Sequence, residues 1–256
     1  MTVMHRFSGP LVRWSAIALL GATLAACSQK PPAADWALNA ESASDRATQA
    51  YLRADQRVQA LEWSKARAEV ERTASPQLLA RLALMRCAVE HASLQWNECE
   101  EYVALAVDAD PQEQAYARYL QAQPLSAQQI ALLPKAQQPV AQALSAGPAA
   151  AFAAVKAVDA PLSRLLAASV VLRAQGPSPE LLVEAVDTAS AQGWRRPLLA
   201  WLLLSARQAQ QSGDTETAQR LERRVRVLEG QAEGAAALGS QPGPGRRPPG
   251  LTLPAA

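Results

Sequence analysis

Ser75-Pro76-Gln77-Leu78-Leu79-Ala80-Arg81-Leu82-Ala83-Leu84-Met85-Arg86-Cys87-Ala88-Val89-Glu90-His91-Ala92-Ser93 is the stretch on which the fold turns. A serine ahead of a helix accepts a hydrogen bond from a first-turn N–H that has no partner inside the helix. Proline next in line loses nothing, because the N–H it lacks is one of those orphans. Beyond it Leu78, Leu82, Met85, Val89 and Ala92 recur at steps of four and three, the spacing of one helix face. The stretch therefore predicts a helix from Pro76 to about Ser93.

The same signals recur on both sides. Asp45 is a candidate cap for a helix reaching about Arg72, with Tyr51, Val58, Leu61 and Val70 among its apolar positions. A break near Leu94 to Asn97 precedes a helix expected from Glu98 to Ala109, and Asp110-Pro111 starts another that carries Tyr116, Tyr119 and Leu120. Pro124, Pro134, Pro139 and Pro148 divide an Ala/Gln-rich stretch into short helices. Caps at Asp159, Ser178 and Asp214, with Gly176, Gly193 and Gly230 at expected ends, then outline helices over 161–174, 179–192, 196–211 and 214–229. Alanine is abundant, and no glycine occurs from Cys27 to Ala146, where strands joined by tight turns would need positive φ. The expected fold is all-α, with short breaks placing neighbouring helices antiparallel.

The N-terminal stretch has another character. His5, Arg6 and Arg13 precede the apolar run Trp14 to Thr23, which is too short to span a bilayer needing roughly 20 apolar residues, and Leu24-Ala25-Ala26-Cys27 follows. This arrangement resembles the leader and lipobox of bacterial lipoproteins. The resemblance implies cleavage between Ala26 and Cys27, a diacylglyceryl group on the Cys27 thiol and often acylation, such as palmitate, on the new amine. It also implies a body facing the periplasm. Ser28, where members kept in the inner membrane usually carry Asp, points to the outer membrane. Two or three chains at about 0.8 kcal/mol per buried CH₂ would hold the protein firmly.

Cleavage would remove two arginines and no acid, leaving a mature chain with 23 basic and 23 acidic side chains. A neutral body without a basic stripe argues against nucleic acid as a partner. The expected organisation is a signal peptide over 1–26, a lipidated N-terminus and flexible tether over 27–43, and a helical-repeat region over 44–123. Short helices over 124–160, a second helical-repeat region over 161–229 and a disordered tail over 230–256 complete it. The tail holds six glycines and five prolines, too little apolar surface to offset the entropy of ordering.

Ala80 to Glu113 resembles one degenerate tetratricopeptide repeat, with Pro111 as its late proline and Ala106 as a small residue of its second helix. Ala83, Arg86 and Glu90 depart from the tryptophan, leucine and tyrosine usual in that family. Trp201-Leu202-Leu203-Leu204 to Leu228 is a second candidate. The resemblance implies antiparallel helical hairpins forming a short α-solenoid, with an irregular helical bundle as the alternative. It also puts Cys87 and Cys99 at the two small positions where a repeat's helices touch. With Cys27 lipidated, those are the two thiols left in an oxidising compartment, and a disulfide stapling one hairpin is the first reading. A metal or redox site is the second, since Cys87 and His91 stand at i, i+4 with Cys99 nearby.

No catalytic constellation stands out. His91 is the sole histidine after cleavage and reads as a partly exposed helix residue; no Gly-rich phosphate loop or Gly-x-Ser-x-Gly is present. Glu98, Glu100 and Glu101 read as an acidic helix start that complements the dipole. Trp63, Trp96, Trp194 and Trp201 read as packing residues, and Arg195-Arg196 as a solvated helix start. No metal or cofactor is expected. The expected function is a non-enzymatic, lipid-anchored scaffold for an envelope protein or peptide; the alternative is a peptidoglycan-acting enzyme or an accessory factor of one.

Overall fold

The computed structural model describes residues 33–239, and the leader, Cys27, the Ala26–Cys27 cleavage point and the tail beyond 239 lie outside them. Among the described residues the chain is all-helical. Its helices are α1 Asp35–Leu52, α2 Gln56–Glu71, α3 Pro76–His91, α4 Glu100–Val103, α5 Pro111–Leu120 and α6 Ala127–Leu132. They continue as α7 Gln138–Ala143, α8 Pro148–Lys156, α9 Pro161–Gln175, α10 Pro179–Ala191, α11 Arg195–Gln211 and α12 Thr215–Gly239.

Local chemistry sets many of these boundaries. Ser75 Oγ accepts from the Leu78 N–H at 3.3 Å, and Ser178 Oγ does the same for Leu181 at 3.3 Å. Ser126 and Gln129 form a reciprocal capping box at the head of α6. Proline is the first residue of α3, α5, α8, α9 and α10. Gly193 and Gly213 take positive φ where α10 and α11 end.

Four expectations change. The helix expected from Asp45 to Arg72 is two helices, and Asp45 lies inside α1 instead of capping it. Residues 35–43 of the expected tether are helical. The Glu98–Ala109 helix is reduced to the single turn α4 and a 3₁₀ turn at Ala106–Asp108, so the repeat-like segment Ala80 to Glu113 lacks a full second helix. The helix expected to end near Gly230 runs to Gly239, so the first part of the expected tail is ordered. Helix ends in the glycine-free region use other residues: Ala54 adopts φ 66° and ends α1, with the Asp55 N–H returning to the Ala50 carbonyl at 2.9 Å.

The helices pack as adjacent hairpin-like pairs, with α3 also against α9 and α1 against α11. α1 and α2 form a hairpin around a small cluster of Ala43, Ala47, Trp63 and Ala66, with Leu82 of α3 against it. The larger core runs from Tyr51 and Leu52 through α3, α5 and α9 to Trp201 and Leu202. Helix α9 is buried all along Leu165 to Leu172, the mark of a helix enclosed on every side. In α3 the buried positions are Ala80, Ala83, Leu84, Cys87, Ala88, Val89 and His91, while Met85 of the expected stripe is exposed. Val58 and Leu61 are exposed too, whereas Glu62 is buried and its carboxylate takes Arg46 Nε at 2.7 Å and Lys65 Nζ at 2.6 Å.

Helices far apart in the sequence meet. Arg196 Nε donates to the Tyr51 carbonyl at 2.9 Å, and its guanidinium lies 4.4 Å from the Tyr51 ring centroid. Trp201 Nε1 donates to the Ala92 carbonyl at 3.1 Å, closing the C-terminal end of α3. Trp96 reaches in the other direction, donating to Ser169 Oγ of α9 at 2.8 Å.

Two substitutions test this account by chemical denaturation. Ala54→Gly relieves the positive-φ strain and should raise stability by about 0.5–1 kcal/mol. Trp201→Phe keeps the ring but removes the donor to Ala92, and should lower it by about 1–3 kcal/mol.

Candidate functional site

Among the described residues, the C-terminal turn of α3 and the loop that follows bring together Cys87, His91 and Cys99. Cys87 lies on the buried face of α3, and His91, one turn later, is fully enclosed at 0% exposure. The chain then reverses: the Gln95 N–H returns to the Glu90 carbonyl at 3.1 Å, and Leu94 takes φ 59°. Cys99 follows in the left-handed region at φ 52°, held there by its N–H donating to Asn97 Oδ1 at 3.1 Å.

Cys87 and Cys99 are joined as a buried disulfide with Cα atoms 5.6 Å apart. It ties the end of α3 to the loop entering α4, and not two long helices to each other, because the second helix of that hairpin is only one turn. His91 Nε2 lies 3.5 Å from Cys87 Sγ and 3.3 Å from the Asn97 carbonyl. A carbonyl only accepts, so Nε2 carries the ring proton in this arrangement, and Nδ1 is left without a partner. Burial lowers the His91 pKa below its ordinary 6.5, with the Asn97 carbonyl opposing. The expected partly exposed histidine is therefore a buried neutral one.

Asn97 is the residue that sequence reasoning missed. Its Nδ2 donates to Glu90 Oε2 at 2.6 Å, and its Oδ1 lies 3.2 Å from Cys87 Sγ. That last approach is a contact and not a hydrogen bond, since a disulfide sulfur bears no proton. The available signal was an asparagine two residues ahead of Cys99, a spacing suited to a side-chain turn. Outside the disulfide opens a polar cavity of about 270 Å³ whose walls include Arg86, Glu90, Asn97, Glu100 and Glu101.

The other candidates take structural places. Glu101 pairs with Arg86 at 2.8 Å, and Glu100 and Glu101 open the short α4. Trp63, Trp194 and Trp201 are buried, whereas Trp96 is 42% exposed. Arg195 and Arg196 are not a solvated helix start: Arg195 Nη2 donates to the Leu228 carbonyl at 2.8 Å, and Arg196 binds Tyr51 as described. No protein-family model, curated protein or solved structure matches this chain.

His91 gives the site a pH signature. The unfolded chain takes up its proton near 6.5 while the buried ring resists, so the unfolded state gains protons first as the pH falls. Stability should decline below pH 6.5 until the buried ring also protonates. In denaturant titrations His91→Gln should flatten this decline; an unchanged slope between the two proteins would count against it.

Proposed function

We propose that this chain is a lipid-anchored lipoprotein facing the periplasm, in the outer membrane rather than the inner, whose helical body is a non-enzymatic scaffold for an envelope protein or peptide. The observation that carries the reading is the Cys87–Cys99 disulfide behind a leader ending Leu24-Ala25-Ala26-Cys27. Disulfides persist in oxidising compartments, and the leader resembles a signal for export into one. Lipidation of Cys27 supplies the membrane attachment. No described helix is long and apolar enough to cross a bilayer.

The scaffold part of the reading draws on a groove of about 280 Å³ between α2 and α3. Trp63, Leu79 and Leu82 give it apolar walls, and Arg67, Arg86 and Glu101 give it a charged rim. An apolar floor with a polar rim is the anatomy of a peptide-sized recognition site. The indole N–H of Trp63, on the wall of this groove, is buried and has no hydrogen-bond partner among the described residues.

Cys27→Ser should abolish palmitate labelling and leave uncleaved precursor in cells; normal processing and release into the periplasm would overturn the anchor. For the scaffold, a photo-crosslinker at Leu82 should trap one stoichiometric envelope protein, and the same group at Val107, 90% exposed and outside the groove lining, should not. Release of soluble muropeptides from purified sacculi by the mature protein would favour a peptidoglycan enzyme instead.

A further inference from the structure

We propose that reduction of the Cys87–Cys99 bond converts this corner of the fold into a binding site for a soft divalent cation, Zn²⁺ being the natural probe, with Cys87 Sγ, Cys99 Sγ and His91 Nε2 as its protein ligands. The inference does not depend on the scaffold reading or on the lipid anchor.

Three features carry it. Ligand atoms of Cys87, His91 and Cys99 all lie within 4.8 Å of one another, and all three residues are buried. Zn–S bonds of about 2.3 Å and Zn–N bonds of about 2.0–2.1 Å put the corners of a tetrahedron roughly 3.5–3.8 Å apart. His91 Nε2 already stands 3.5 Å from Cys87 Sγ, so that edge is formed in advance. Two movements are required: the parting of the two sulfurs once their bond is broken, and the release of His91 Nε2 from the Asn97 carbonyl 3.3 Å away.

The surroundings suit an ion. Two thiolates and a neutral imidazole around M²⁺ make an uncharged unit, which lowers the penalty of burial. Asn97, oriented by Glu90, faces Cys87 Sγ with its side-chain carbonyl oxygen at 3.2 Å. The polar cavity outside the disulfide, with Glu90, Glu100 and Glu101 on its walls, supplies a route for the cation and a water to fill the fourth position.

The chemistry balances with a reductant and water. A dithiol passes two electrons and two protons to the Cys87–Cys99 bond and becomes a disulfide; a phosphine passes two electrons and becomes the phosphine oxide, with water giving its oxygen to phosphorus and its two protons to the sulfurs, and either route leaves two thiols. Cation binding then releases both thiol protons to solvent. The His91 ring proton moves from Nε2 to Nδ1, the nitrogen that has no partner in the disulfide form.

The test uses the full chain carrying Cys27→Ser, so that Cys87 and Cys99 are its only cysteines. Zinc per chain is measured by elemental analysis after gel filtration, with and without prior phosphine reduction, and Co²⁺ is substituted to look for thiolate-to-metal charge-transfer absorption. The reduced chain should retain one zinc and show the cobalt band, and the oxidised chain should do neither. Replacing even a group that only orients a ligand costs about 10–100-fold in affinity, so His91→Ala, checked for folding by circular dichroism, should weaken zinc binding by at least about tenfold. The proposal is overturned if the reduced chain keeps no zinc, if folded His91→Ala binds as tightly as the parent, or if reduced chain with alkylated thiols binds zinc equally well.

Discussion

Trp201, fully buried on α11, donates its indole N–H to the carbonyl of Ala92 at the end of α3. The last carbonyls of a helix have no partner within it, so each must find a donor elsewhere or face water. Here the donor comes from a helix more than a hundred residues further along the chain, and the bond brings the two halves together. Arg196, also on α11, adds a second donor to the Tyr51 carbonyl, which already accepts from the Ala54 N–H at 3.0 Å, and lays a cation over the ring.

The closure also fixes the reactive corner. Ala92 follows His91 directly, and Trp96, four residues on, is held to Ser169 of α9. The loop carrying Asn97 and Cys99 is therefore tied on its N-terminal side, at Ala92 and Trp96, and the disulfide ties Cys99 back to α3.

Polar groups inside an alanine-rich bundle do much of the specifying. Apolar contact between small side chains is weakly directional, and burying a charge costs free energy unless the charge is paired. Glu62 is enclosed against Arg46 and Lys65, Glu113 against Arg81 at 2.7 Å, and Gln137 joins Tyr119 at 2.6 Å to the Ser163 carbonyl at 3.0 Å. Each of these links two elements in one register and would be left unsatisfied in another. The last of them anchors the short-helix region to α9.

The helical class, the caps at Ser75 and Ser178, the prolines that open helices and the four C-terminal helices were legible from the sequence alone, because capping and periodicity act within a turn or two of chain. The pairing of Cys87 with Cys99 was legible only through family resemblance and the compartment it implied. Which face of α3 is buried was legible only in part: Val89 and Ala92 of the expected stripe are buried and Leu82 packs on the α1–α2 cluster, but Met85 is exposed, and a helix touched on several sides also buries Ala80, Ala83 and Cys87, where backbones come closest. The turn at Ala54 escaped for a related reason, since an alanine in the left-handed region announces nothing in a sequence. Nor could local pattern place His91 in the interior, Asn97 against the sulfur, or Trp201 on Ala92. Those positions depend on contacts between residues far apart in the chain, and only the packing of the whole bundle decides them.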